Sequence, residues 1–174
     1  MKTESKQINP VGLYIVATPI GNLSDITLRA LDILKMVDLI MCEDTRISGN
    51  LLSHYGIKKP LISYNDHNAA ERRPEIFAAI NEGKRVALIS DAGTPLVSDP
   101  GYKLVREALE QGLYVTAIPG ASSVLAALCL SGLPSDSFYF GGFLPAKAEA
   151  LKKHIASLAN IPATLIFFES ARRL

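Results

Sequence analysis

Short apolar runs alternate with amphipathic stretches along this chain, and that alternation limits its fold more than any other feature. Five runs predict buried strands: Leu13 to Ala17, Asp38 to Cys42, Leu61 to Ser63, Lys84 to Ile89 and Leu113 to Ile118. The stretches between them have helical period. Ile26, Ala30, Leu31, Ile33, Leu34 and Val37 form the first stripe. Ile47 to Tyr55, Ala69 to Asn81 and Tyr102 to Gln111 predict the next helices, with Gly56 and Gly83 placed as C-terminal stops. Ser24 is the expected N-cap of the first helix, and Pro74 predicts a kink or a late start in the third. A strand, a helix and another strand in succession join parallel neighbours, because only a long crossover returns the chain to the same edge. The prediction is an α/β fold: a parallel five-stranded sheet with helices on both faces.

The pattern weakens after residue 120. Ala121 to Leu130 is apolar nearly all round, which predicts a helix buried on several sides. Gly132-Leu133-Pro134-Ser135-Asp136 reads as a boundary. Phe138 to Phe143, Ala146 to Ala159 and Ala163 to Phe168 then predict strand, helix and strand. Such a piece cannot cover both faces of its own sheet. The expected layout is a polar tail over 1–11, an N-terminal α/β domain over 12–133, and the start of a second α/β domain over 134–174, incomplete at its end.

Composition narrows the classes, the charge balance only weakly. Lys plus Arg is 18 and Asp plus Glu is 17, so no global basic excess announces nucleic acid. The polar start, Met1 to Gln7, lacks the apolar core of a secretory signal, and Val124 to Leu130 is far too short to span a bilayer. The expected compartment is the cytoplasm. Cys42 and Cys129 each sit in an apolar segment and are expected to be buried free thiols. With His54, His67 and His154 scattered, no metal site is expected.

Three Pro/Gly loops follow predicted strands: Thr18-Pro19-Ile20-Gly21-Asn22, Ser90-Asp91-Ala92-Gly93-Thr94-Pro95 running on to Gly101, and Pro119-Gly120-Ala121-Ser122-Ser123. In a parallel sheet all three lie on the carboxyl edge, where such sheets bind ligands. None reads GxGxxG or GxxxxGK[ST], and no lysine is placed to grip a phosphate. A nucleoside triphosphate or dinucleotide therefore suits them poorly. An adenine, a ribose and an amino-acid tail suit them better, with apolar residues around the base and amides and hydroxyls on the tail. S-adenosylmethionine has that shape. Glu43, Asp44 and Arg46 end the second strand on the same edge and are the candidate catalytic residues, orienting or deprotonating an acceptor hydroxyl. A helix cap is the competing role for Asp44. For His67 a role as base competes with that of a solvated loop histidine, and for Arg72-Arg73 phosphate contact competes with a solvated helix face.

At these residues the chain resembles the tetrapyrrole methylase superfamily. Leu13 to Ala30, Cys42 to Arg46, Ser63 to Asn68, Ser90 to Gly101, Pro119 to Ser123, Gly141-Gly142-Phe143-Leu144-Pro145 and Phe167-Phe168-Glu169-Ser170 are similar to its branch that methylates small-subunit ribosomal RNA. The resemblance implies two α/β domains with S-adenosylmethionine in the cleft between them, and a homodimer. It implies methyl transfer to the ribose 2′-hydroxyl of a cytidine in the decoding region of 16S rRNA. It implies donor contacts from Ser90, Asp91, Ala92, Gly93, Thr94, Pro95, Pro119, Gly120, Ala121 and Ser122, joined by Phe143, Leu144 and Ser170. Methylation of a tetrapyrrole carbon and a non-catalytic nucleotide-binding module are the alternatives. The Thr18 to Asn22 loop favours the RNA branch over the glycine-richer opening of porphyrin enzymes.

Overall fold

The computed structural model describes residues 9–173, so most of the expected polar tail lies outside the described residues. The chain divides into two compact units, one ending at Ala121 and the other beginning at Ser122.

The first unit contains β1 (Leu13–Val16), α1 (Leu28–Met36), β2 (Leu39–Cys42), α2 (Thr45–His54), β3 (Leu61–Ser63), α3 (Ala69–Asn81), β4 (Val86–Ile89), α4 (Tyr102–Glu110) and β5 (Val115–Ile118). All pairings are parallel, in the order β3-β2-β4-β1-β5. The chain first moves outward from β1 to β2 and β3, then returns through β4 to β5. Right-handed crossovers therefore put α1 and α2 on one face and α3 and α4 on the other. Side-chain alternation follows suit. Tyr14, Val16, Ile40, Cys42, Ala87 and Ile89 pack with Ala30, Ile33, Leu34 and Leu52 of α1 and α2. Leu13, Ile15, Met41, Val86 and Leu88 point the other way, into Ile76, Phe77 and Ile80 of α3 and Leu104 and Ala108 of α4. Each Val, Leu, Ile, Phe or Met among them, fully buried, stabilises the fold by about 1.5–3 kcal/mol.

Local chemistry sets the helix ends. Ser24 is not the cap of α1. Asn22 instead accepts from the Ser24 amide and caps a single 3-10 turn over Leu23–Asp25, while Thr27 caps α1 by accepting from Ala30 N at 3.1 Å. The extra turn lets the chain leave the sheet edge before α1 begins. Pro74 lies inside α3, whose helix runs through it. Ala70, the residue whose carbonyl loses its donor, is exposed, so water can replace the missing bond.

The second unit contains α5 (Ser123–Leu130), β6 (Phe138–Phe143), α6 (Ala148–Leu158) and β7 (Thr164–Phe168). β6 and β7 form a separate two-stranded parallel sheet. The second compact unit begins at Ser122, and within it α5 packs on β7. Only Val124 and Leu128 of α5 are buried, while Leu125 and Leu130 are exposed, so the helix is not covered on several sides. Cys129 shares that exposure; only Cys42 is a buried thiol. No helix among the described residues is long and apolar enough to cross a membrane.

Candidate functional site

Parallel pairing brings the ends of β1, β2, β4 and β5 to one edge of the sheet, and hydrogen bonds knit the loops that follow. Thr18 and Gly93 form an antiparallel bridge: Thr18 N donates to Gly93 O at 2.8 Å and Gly93 N to Thr18 O at 3.1 Å. The buried Thr18 hydroxyl donates to Ser90 O at 3.0 Å, and Ser90 Oγ to Gly93 O at 3.0 Å. Thr94 Oγ1 then reaches Ala121 O at 3.1 Å, tying the β4 loop to the β5 loop. The three Pro/Gly loops thus form one rigid rim, and the sequence-predicted residues Ser90 to Pro95 and Pro119 to Ala121 come together on it. Ser122 begins the second unit, where it caps α5.

Glycine is required at two places on this rim. Gly93 has φ +86°, and a Cβ there would sit 3.3 Å from Ile20 Cγ2. At Gly101, φ is +131° and a Cβ would press 2.7 Å from Leu88 Cδ2. Leu96 (φ 73°) and Ser98 (φ 63°) also adopt the left-handed region, which costs L residues energy. Strain of this kind persists where the surroundings enforce it, commonly at ligand sites. Neither residue was among the candidates, because Leu carries no sequence signal for positive φ. Thr18 was not singled out within its loop either, although its hydroxyl bonds across the rim.

The end of β2 adds the carboxylates. Asp44 is the N-cap of α2: Oδ1 accepts from Arg46 N at 2.8 Å, and the Arg46 guanidinium grips both carboxylate oxygens, at 2.6 Å from Oδ2. These hydrogen bonds hold its pKa down to about 2. Asp44 N donates to Asp91 Oδ1 at 3.2 Å, linking the β2 end to the β4 loop. Glu43 behaves oppositely. Desolvation, with Asp91, Asp99, Asp66 and Asp44 nearby, raises its pKa. Desolvation also raises Asp99. Ser63 Oγ donates to Glu43 O at 3.3 Å and accepts from Asn65 Nδ2, so the turn is braced from β3. Among the described residues no group of three or more His, Cys, Asp or Glu side chains is arranged to hold a metal. His67 is exposed, and Arg72 and Arg73 pair with Glu75 and Glu107.

A profile of the family described as Tetrapyrrole (Corrin/Porphyrin) Methylases matches residues 12–174. The chain belongs to this family. Among curated relatives, "Ribosomal RNA small subunit methyltransferase I" of Mesorhizobium japonicum is 59% identical over 93% of the chain and 55% of the relative. The protein of the same name in Haemophilus influenzae is 56% identical over 93% of the chain and 57% of the relative. The chain therefore spans a little over half the length of these relatives. Among solved structures, a diphthine synthase superposes with a TM-score of 0.72 at 19% identity, covering 91% of this chain and 64% of that one, and so shares its fold.

The remaining candidates lie in the second unit. Phe143 ends β6 with its ring 5.4 Å from Phe168, and Leu144 follows it. Ser170 follows β7, its amide bonded to the Glu169 side chain. Arg173 bonds Leu144 O, Pro145 O and Glu169, fastening the two loops together at the carboxyl edge of that sheet.

Proposed function

We propose that this chain belongs to an enzyme that moves a methyl group from S-adenosylmethionine to the ribose 2′-hydroxyl of a cytidine in the decoding region of 16S rRNA. The observation that carries the reading is the identity of more than half the aligned residues with two ribosomal RNA small subunit methyltransferases I, over 93% of the chain. Under this reading the donor rests on Ser90 to Pro95 and Pro119 to Ser122. Their geometry fits such a ligand. At Gly120 a Cβ would fall 2.9 Å from Ala17 Cβ, and at Gly93 3.3 Å from Ile20 Cγ2, so glycine lets these loops pack closely on the β1 loop and keeps the proposed donor surface in one piece. Half-buried Asp91 supplies negative charge for a cationic ligand. Phe143, Leu144 and Ser170 stay in the proposal on the family pattern alone.

When bound, the sulfonium supplies an already electrophilic methyl. What the chain must add is alignment, which accounts for much of the rate, and a place for the acceptor's proton. Asp44, capping a helix and clamped by Arg46, holds its charge too firmly to serve as the base. Arg46 holds Asp44 in place. Glu43, raised by its surroundings, is the residue that takes the hydroxyl proton onto its carboxylate. A small ribosomal subunit as substrate implies a cytoplasmic enzyme, and the homodimer implied by the family pattern completes the proposal.

Tritiated methyl transfer tests it. Label should enter small ribosomal subunits at a single cytidine ribose and not enter a corrinoid precursor. Label in the corrinoid instead would favour tetrapyrrole methylation. Donor binding with transfer to neither would leave a binding module. Light scattering reads the dimer.

A further inference from the structure

The first unit holds a concave site beside the donor loops, lined mostly by the β1 loop and α2 and sharing Asp91 with the β4 loop. A cavity of about 390 Å³ opens between the loop after β1 and the helix α2. Its size falls in the range of small-ligand pockets. Pro19, Ile47 and Leu51 form apolar walls, and Asn50, His54 and Asp91 bring polar atoms to it. The helical period explains the grouping. Ile47 with Leu51, and Asn50 with His54, are pairs four residues apart, so each pair makes a row along one face of α2. The opposite face of the helix buries Ser48 and Leu52.

The cavity is held open by its own frame. Tyr55 Oη donates to Leu23 O at 2.6 Å, fastening the β1 loop to α2. The Tyr55 ring meets the His54 imidazole edge-on at 4.8 Å, which limits how that ring can turn. Gly21, at φ +128°, lets the loop double back, and a Cβ there would meet nothing. Ile47 is 48% exposed and Leu23 42% exposed, so large apolar side chains stand uncovered around the opening. Asp91 lines the cavity too. It also belongs to the β4 loop and accepts from Asp44 N, so the cavity adjoins both the donor loops and the Glu43-Asp44 turn.

We propose that this cavity receives one unstacked nucleobase of a single-stranded RNA acceptor, packed flat on Ile47, Leu51 and Pro19 and read at its edge by Asn50 and His54. The inference rests on the reading of the chain as an RNA methyltransferase and deepens it. A base turned out of its strand exposes two flat faces and an edge of hydrogen-bonding groups. Apolar walls match the faces. The Asn50 amide offers a donor and an acceptor side by side, which pairs with N3 and the exocyclic amine of a cytosine. No Lys or Arg lines the cavity, so a phosphate group is not its ligand. A ribose attached to a base seated there would lie toward Asp91 and the Glu43 turn, where the transfer is proposed.

The test compares wild type with Asn50→Ala and Ile47→Ala, both at exposed positions where the fold tolerates change. Cytidine 5′-monophosphate is titrated by NMR, S-adenosylmethionine by calorimetry, and methyl transfer to small ribosomal subunits by tritium. Wild type should show resonance shifts on α2 with the nucleotide. Each variant should bind it roughly tenfold more weakly or worse. The KM for ribosomal subunits should rise in step, with kcat and donor affinity within about threefold of wild type. Nucleotide binding that ignores both substitutions overturns the proposal, as does the absence of shifts on α2. Variants that weaken S-adenosylmethionine instead would assign the cavity to the donor's adenine, and also overturn it. Shifts on α2 that the variants weaken, alongside wild-type transfer to a corrinoid and not to RNA, would support a base pocket while removing the proposed activity.

Discussion

The two units solve the same problem with unequal means. In the first, five parallel strands are sandwiched by four helices, and β1 and β4 are buried along their whole length. In the second, two strands and two helices leave Phe138, Tyr139, Phe143 and Leu165 exposed. A parallel sheet needs both faces covered. Two strands give too little surface to anchor two helix layers, so the first unit carries the stability and the second carries uncovered apolar surface. The difference also explains where a rigid site can be built. Loops hold a geometry when the strands beneath them cannot move.

Equal truncations should separate the units most. Leu34 is wholly buried beneath α1, and Leu34→Ala should cost about 3–4 kcal/mol in denaturant unfolding. Leu165 is 36% exposed on β7, and Leu165→Ala should cost under about 1 kcal/mol. Hydrogen exchange should agree, with β1 and β4 amides opening only in global unfolding and β6 and β7 amides opening sooner. Equal costs at the two sites would erase the contrast.

Two glycines sharpen it. A Cβ at Gly12 (φ +154°) would collide with the carbonyl oxygen of Tyr114, which is held in place by the Leu13 amide at 2.9 Å. A Cβ at Gly141 would collide with the Phe167 ring. Backbone locked in a sheet cannot retreat, whereas a partly exposed ring can turn. Gly12→Ala should therefore destabilise by about 3 kcal/mol and Gly141→Ala by about 1 kcal/mol, read from thermal unfolding.

On the rim, Thr94→Val removes the hydroxyl that ties the β4 loop to Ala121 O. It should lower stability by about 1 kcal/mol and weaken S-adenosylmethionine in calorimetry, since the loops would no longer be held in register. Unchanged donor affinity would show that the rim does not need this tie.

Most of the frame was legible in the sequence because a strand buried on both faces must be a short apolar run, and α1 to α4 keep their stripes. The rim loops were legible as Pro/Gly clusters, and their common edge follows from parallel strands. Tertiary facts were not. Asn22 and Thr27 divide the expected first helix start between them, a choice that depends on how far the β1 loop must travel. The exposure of α5 contradicts its composition, because composition reports what a helix could bury and not what is present to cover it. Leu96 and Ser98 at positive φ leave no trace in residue type. Asp44 was legible as a cap or as a base; the cap and the Arg46 clamp that accompanies it are what the structure adds.

Glu43 is the smallest effect and the one that joins stability to chemistry. Desolvation and four neighbouring carboxylates raise its pKa in the folded chain above the unfolded value. The folded state thus binds the proton more tightly, and deprotonation disfavours folding. Glu43→Gln should stabilise slightly at pH above the folded pKa. The gain should shrink as pH falls through that pKa and vanish below the unfolded value, where both states are protonated. Asp44 runs the other way: its lowered pKa supports folding above about pH 4 and loses that support as pH falls toward 2. If Glu43 takes the acceptor's proton, wild-type transfer should climb with pH through the same elevated pKa, and Glu43→Gln should lose that limb along with most of its rate. A stability gain without a change in the pH–rate profile would make Glu43 a crowded carboxylate and nothing more. The rim of the first unit would then align the reactants, with the proton leaving through solvent.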